Sequence, residues 1–149
     1  MEWMLLPLRR YAEFSGRSRR KEYWMFALLM AIVYSLAGLL MVSSLWPAIS
    51  AGATFAWDNV TGGFWLGFAL FGLFTLAVIV PGVAVTVRRL HDRDMSGWWY
   101  LAVVVLGQVP WLGALVNLGF LVLMCLPGTS GPNRFGPDPK GADSFEVFA

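Results

Sequence analysis

The chain has 149 residues, of which 58% are hydrophobic, 15% aromatic and only 13% charged, and its mean hydropathy is +0.63. A soluble domain is nearer half apolar and a quarter charged, so too few polar residues are present to cover a soluble surface. The same composition excludes a disordered or collagen-like chain and, with one cysteine, a disulfide scaffold. The length suits a single domain, and the expectation is a small all-α integral membrane protein.

Residues 1–22 hold six of the eleven Lys and Arg residues. Within them, 3–14 (WMLLPLRRYAEF) predict a short amphipathic helix lying at the membrane interface. Met4, Leu8 and Tyr11 share one face by helical spacing, and Arg9, Arg10 and Glu13 can point to water or headgroups. Ser15-Gly16 ends the pattern. Three charge-free stretches follow, Tyr23–Trp46, Phe64–Val87 and Trp98–Leu126, and every acidic and basic side chain sits outside them. About 20 apolar residues cross roughly 30 Å of hydrocarbon as a helix. A charge at mid-span costs about 2.5–3.5 kcal/mol on insertion scales, so this segregation is what lipid-facing helices require.

The first transmembrane helix is therefore predicted over 23–46. It is too long for a cleaved signal core, although Ala51-Gly52-Ala53 offers small residues for cleavage, and it reads as an uncleaved anchor. Tyr23-Trp24 and Trp46-Pro47 place aromatic residues at both interfaces. Ala27, Ala31, Ser35 and Gly38 form a small-residue stripe suited to close helix packing, within the chain or in a homo-oligomer. Residues 47–63 read as an external loop whose single charge is Asp58. The second transmembrane helix is predicted over 64–87, with Gly63, Gly67 and Gly72 as a second possible packing stripe. Residues 88–97 form a loop with three arginines. Lys and Arg concentrate on the cytoplasmic side, so both 1–22 and 88–97 are expected in the cytoplasm, in a multi-pass chain with a cytoplasmic N-terminus.

The third stretch, 98–126, is interrupted at Gly107-Gln108-Val109-Pro110. Proline removes a helix donor and clashes with the preceding turn. Two paths follow: one long bent span, or a re-entrant hairpin turning near Pro110, and the latter is the preferred expectation. Gln108 and Asn117, the two amides in the hydrophobic segments, are expected to bond within their own helices. The tail 127–149 is rich in Gly and Pro. Its alternation of rigid residues with Asn, Arg, Phe and Asp suggests a segment folded back in a fixed shape.

Polar information concentrates in three segments. In the first (SGRSRRKEYW, 15–24), four cations within five residues sit at headgroup level, each attracted to an anionic leaflet by about 1 kcal/mol. Glu22 is not needed for such a signal and is expected to pair with a nearby cation. In the second (RRLHDRDMSGWW, 88–99), Arg88 and Asp92 are at i,i+4 and are expected to pair. His91, the sole histidine, has too few neighbouring ligand types for a metal site, and nothing orients Ser18 or Ser96 as a nucleophile. The third is CLPGTSGPNRFGPDP, 125–139, in which Cys125 is expected to be a buried apolar side chain.

Together GRSRRKEYWMF, RRLHDRDMSGWW and CLPGTSGPNRFGPDP resemble the motifs of the family called domain of unknown function 805, over about Trp3 to Pro139. The resemblance implies a small bacterial inner-membrane protein and favours a folded, cytoplasmic tail. It supplies no activity, substrate, cofactor or catalytic residue.

The functional expectation is a non-enzymatic protein whose cytoplasmic face binds anionic lipid headgroups or a partner protein. The candidate residues are Arg17, Arg20, Glu22, Arg88, His91, Asp92, Asn133 and Arg134. The cations would contact phosphate or carboxylate, and Glu22 and Asp92 would position them. No metal, cofactor or nucleic-acid partner is expected. The alternatives are a component of a small-molecule transport system and, less favoured, an interfacial lipid-modifying enzyme.

Overall fold

A computed structural model describes residues 2–52 and 60–141. Ala53, Asp58, Asp143 and Glu146 lie outside the described residues, as do the central part of the predicted external loop and the last eight residues of the tail. Among the described residues the protein is all-helical: α1 Glu2–Arg9, α2 Arg20–Ser50, α3 Gly62–His91, α4 Trp98–Leu106 and α5 Leu112–Cys125. The chain divides into two compact units, Ala27–Ile79 and Met1–Phe26 with Val80–Ala149.

Helices α2 and α3 have 31 and 30 residues, and the most apolar stretch of each has a mean hydropathy of 2.4. At 1.5 Å per residue each is about 45 Å long, enough to cross a bilayer with headgroups. Most of their apolar side chains face outward: Leu39, Leu73 and Leu76 are 65–70% exposed. Such a surface is untenable in water and ordinary against lipid tails. α2 runs on through Pro47 to Ser50, beyond the predicted end at Trp46.

Within the unit Ala27–Ile79, the face that α2 packs on α3 is Tyr34, Ala37, Met41 and Ser44. The Tyr34 hydroxyl lies 3.2 Å from Thr75 Oγ1, and its ring meets Phe71 and Phe74 at centroid distances of 5.0 and 5.3 Å. Gly67 lies so close to α2 that a Cβ there would stand 2.6 Å from Met41 Cγ and 3.0 Å from the Ala37 carbonyl; at Gly63 it would stand 3.0 Å from Ser44 Cβ. Gly63 and Gly67 are thus packing positions, whereas nothing lies within 4 Å of a Cβ built on Gly72, and their partner is not the predicted Ala27–Gly38 row. Ala31 and Ser35 are exposed, and nothing lies within 4 Å of a Cβ built on Gly38. The phase of α2 is set by the aromatic cluster in which the Tyr34 ring lies against Phe71 and Phe74.

In the other unit, α1 ends at Arg9, five residues before the predicted end. The Arg10 N–H still bonds to the Leu6 carbonyl at 3.0 Å, and the chain then turns, with Gly16 at φ +81°. Between α4 and α5 the backbone reverses at 107–111, with Trp111 at φ +67°. Tyr100 meets Phe120 at 6.0 Å, and Gly113 packs directly on the Gly107 backbone, so the two helices are antiparallel. Nine and fourteen residues make about 14 and 21 Å of helix, short of a full crossing. Of the two paths open to 98–126, the chain takes the hairpin. Gln108 and Asn117 donate to the Val104 and Gly113 carbonyls of the preceding turn.

Candidate functional site

The hairpin returns the end of α5 to the end of α3. Three segments that are far apart in sequence meet there, 15–22, 88–95 and 124–139, and charged side chains dominate the contact.

A helix C-terminus leaves its last carbonyls without partners and carries partial negative charge. At the end of α5 arginines take these carbonyls. Arg89 donates to Met124 O at 3.3 Å and to Leu126 O. Arg20 reaches Cys125 O at 3.2 Å, and Arg93 reaches Pro127 O at 2.8 Å. Arg89 also binds Asp92 Oδ2, while Arg17 Nε donates to Asp92 Oδ1 at 3.0 Å. Arg17 extends to the tail as well, donating to the Gly131 and Thr129 carbonyls at 2.6 Å each. Two guanidiniums therefore share one carboxylate, and the surplus positive charge faces backbone carbonyls. All three side chains are buried. Burying them is tolerable only because nearly every donor is matched.

The backbone closes the same knot. Thr129 donates its N–H and its hydroxyl to the Asp92 carbonyl, at 2.8 and 3.1 Å. Gly128 lies against the Asp92 carboxylate, where a Cβ would collide with it. Asn133 Nδ2 donates to the His91 carbonyl at 2.9 Å and to Thr129 Oγ1 at 3.0 Å, while its Oδ1 accepts the Phe135 N–H at 2.9 Å. That turn lays the Phe135 ring flat on His91, with centroids 3.9 Å apart and planes at 3°. His91 Nδ1 in turn lies 3.2 Å from the Gly16 carbonyl. Farther along the tail, the Asp138 carboxylate accepts the N–H groups of Lys140 and Gly131 at 2.9 and 3.0 Å. These bonds, the one from Lys140 foremost, hold its carboxyl below the usual carboxylate range.

A second buried pair lies beside the first. Arg88 Nη2 is 3.1 Å from Glu22 Oε1, with both side chains almost fully buried. The atoms are close enough to attract but not aligned for a hydrogen bond, and Glu22 Oε1 and both Arg88 Nη atoms lack a hydrogen-bond partner.

Of the eight candidates, Arg17, Glu22, Arg88, His91, Asp92 and Asn133 are thus brought together, and Arg20 and Arg134 lie exposed at the edge. Arg134 pairs with Asp94 at 3.1 Å and covers the Phe135 ring. Two expectations are corrected. Asp92 pairs with Arg89 and Arg17, not with Arg88, because it lies past the end of α3 on the side facing α5, and Arg88 is turned to Glu22 instead. Cys125 is exposed, because Met124 takes the inward position of that helical turn and Cys125 lies about 100° round from it. Arg89, Arg93, Thr129 and Gly128 were missed as site residues. Only the arginines left a signal, as extra cations at i+1 and i+5 from Arg88.

Around this knot, Phe14, Val83, Val87, Trp98, Leu101 and Val104 line an apolar cavity of about 610 Å³ whose polar members include His91 and Ser96. The described residues contain no group of three or more His, Cys, Asp or Glu that could hold a metal ion.

A family model described as "Protein of unknown function (DUF805)" matches residues 11–137, the span of all three segments. The chain is 41% identical over 140 residues to the inner membrane protein YhaI of Escherichia coli K12, covering 94% of this chain and 97% of that protein. It is 40% identical to YhaH of the same strain, with 94% and 98% covered. The uncharacterized protein YiiR of that strain is 31% identical over 149 residues, with 85% and 86% covered. No solved structure matches the chain.

Proposed function

The chain belongs to the DUF805 family of bacterial inner-membrane proteins of unknown function, and from that premise we propose that it is a non-enzymatic, multi-pass protein whose cytoplasmic face binds anionic lipid headgroups. One observation carries this reading, a division of labour among the cations. Arg17, Arg88 and Arg89 are buried against acids and, for Arg17 and Arg89, tail carbonyls. Arg9, Arg10, Arg20, Lys21 and Arg134 remain exposed, and so do Leu5, Tyr11 and Phe14, which flank Arg9 and Arg10 in the chain. Exposed cations beside apolar side chains are what an interfacial surface presents to an anionic leaflet. In this reading the buried knot fixes the shape of the face, and Arg20 with Lys21 supplies contact.

The positive-inside bias puts 1–22 and 88–97 in the cytoplasm. The contacts of the tail with both segments support a cytoplasmic tail and a hairpin that enters and leaves the membrane on that side. A phosphatase reporter fused after Ala149 is expected to be silent, and activity there sinks this topology.

The headgroup reading is tested on protein extracted with its native lipid. Co-purified lipid is expected to be enriched in anionic phospholipid over the bulk membrane, and a Lys21→Ala, Arg20→Ala double variant to lose most of that enrichment. Unchanged lipid with a specific protein crosslink at these positions replaces this reading by the partner-protein one. A transport role has less support: the amides of Gln108 and Asn117 bond to their own helices and offer no polar path.

A further inference from the structure

Residues 13–17 form a partition. Phe14 faces the apolar cavity, while Glu13, Ser15 and Gly16 line a second cavity of about 380 Å³ with Trp3 and Leu6 of α1, Glu22 of α2 and the tail prolines 137 and 139. This second cavity is charged, and it carries both signs. Arg10 and Arg19 bring positive charge, Glu13 and Glu22 negative. Arg17 also lines it, but its guanidinium is held by Asp92 and the tail.

Arg19 is already engaged, its guanidinium donating to the Pro139 carbonyl at 2.5 Å, whereas Arg10 and Glu13 pair loosely. Arg10 and Glu13 stand 3.6 Å apart, each about half exposed. Glu22 is 3% exposed, yet its Oε1 has no hydrogen-bond partner and only the charge of Arg88 nearby. The one opposite charge beside this carboxylate is Arg88, 3.1 Å from Oε1, so an N–H or O–H from whatever fills the cavity that Glu22 lines would complete its partners. A simple anion does not supply one and meets two carboxylates. A group with phosphate at one end and a primary ammonium at the other answers both sets of charges.

We propose that this cavity binds a phosphoethanolamine group, its ammonium donating to Glu22 and Glu13 and its phosphate held by Arg10 with the added charge of Arg19. The proposal goes beyond the headgroup reading, because it moves selectivity at this cavity from net charge to the pairing of charges. The size fits: at roughly the 30 Å³ that a water occupies in the liquid, eight non-hydrogen atoms need about 240 Å³. Trp3 supplies a wall, already stacked by Arg19 and Lys21 at 5.7 and 5.4 Å.

The test uses the full chain, delipidated in a non-phospholipid detergent, and short-chain dihexanoyl lipids as probes. Phosphatidylethanolamine is expected to bind at least about tenfold tighter than phosphatidylcholine, which lacks an N–H, and than phosphatidylglycerol, which lacks the cation; tenfold is the scale of one charge-assisted hydrogen bond. Glu22→Gln is expected to abolish that preference. Since Glu22 also neighbours buried Arg88, the half-exposed Glu13→Gln provides a second variant, expected to narrow the preference several-fold in a protein that folds normally. Arg10→Ala weakens all three lipids alike. Soluble O-phosphoethanolamine competing as well as the lipid assigns a free ligand, and weak competition assigns the lipid; both uphold the phosphate–ammonium chemistry. Equal binding of the three lipids overturns the proposal. So does tightest binding of phosphatidylglycerol, which leaves the anionic-headgroup reading standing. Loss of anionic enrichment in the native extract, by contrast, strikes that reading alone.

Discussion

The unit Ala27–Ile79 and the knot at the ends of α3 and α5 solve the same problem with opposite chemistry. In the first, helices approach through Gly63 and Gly67, and the polar contacts among the described residues are few, the hydroxyl pair Tyr34 with Thr75 and the Thr61 hydroxyl on the Ser44 carbonyl at 3.4 Å. Lipid tails are as apolar as leucine, so nothing but fit favours one helix pairing over another there. In the second, four arginines (Arg17, Arg20, Arg89 and Arg93), the Asp92 carboxylate and a run of backbone carbonyls fix chain segments up to 114 residues apart in sequence. Each bond there is directional, so the geometry is specified far more tightly. A chain this apolar keeps its information at the polar end: the spans need only be greasy and smooth, whereas the knot must be built residue by residue.

Disrupting the polar end is expected to have the largest effect. Asp92→Ala leaves Arg17 and Arg89 buried without their acid, a loss of about 3–5 kcal/mol. Protease sites in the tail 127–141 should open, while the α2–α3 packing, followed by a crosslink between cysteines placed at positions 44 and 63, should persist. Loss of both together refutes the independence of the two regions. Next comes Gly67→Ala, which sets a methyl against the Ala37 carbonyl, a backbone atom that cannot swing aside. A loss of about 1–3 kcal/mol is expected from overpacking, read as a lower midpoint for thermal unfolding in detergent, with the tail still protected.

The two regions were not equally legible in the sequence. Spans are announced by what they lack, and charge-free runs as long as Tyr23–Trp46 and Phe64–Val87 leave little room for another reading. The α4–α5 break was carried by Pro110 and Gly107, whose backbone effects are local. The phase of α2 was not legible, because the row from Ala27 to Gly38 and the face bearing Tyr34 have similar apolarity, and only the partner helix decides between them. At the polar end the members were visible as three motifs, and Glu22 was rightly expected to need a cation. The pairing was not visible: Arg88, Arg89 and Arg93 all lie within one turn or so of Asp92, and the choice rests on the end of α5, which arrives from far downstream in the chain. Thr129 and Gly128 act through backbone contacts, which composition does not report.

Smaller effects separate the exposed members of the polar end from the buried ones. Arg134 and Asp94 are 60% and 48% exposed, so Arg134→Ala should cost under about 1 kcal/mol and mainly loosen the cover on Phe135. Smallest of all is the contribution of Asp138. Its folded-state pKa is depressed by the N–H groups of Lys140 and Gly131, so it stabilises the tail turn above the ordinary carboxylate value of about 4 and loses that contribution as pH falls through the lower folded value. The Gly131 amide, which donates to Asp138 at 3.0 Å, reports this directly. Its hydrogen exchange, corrected for intrinsic rate, should quicken as pH falls below about 4 in the native chain and show no such step in Asp138→Asn. A step that survives the substitution shows that Asp138 is not the source of the tail's acid sensitivity, and the turn at 131–140 then follows its surroundings rather than holding itself.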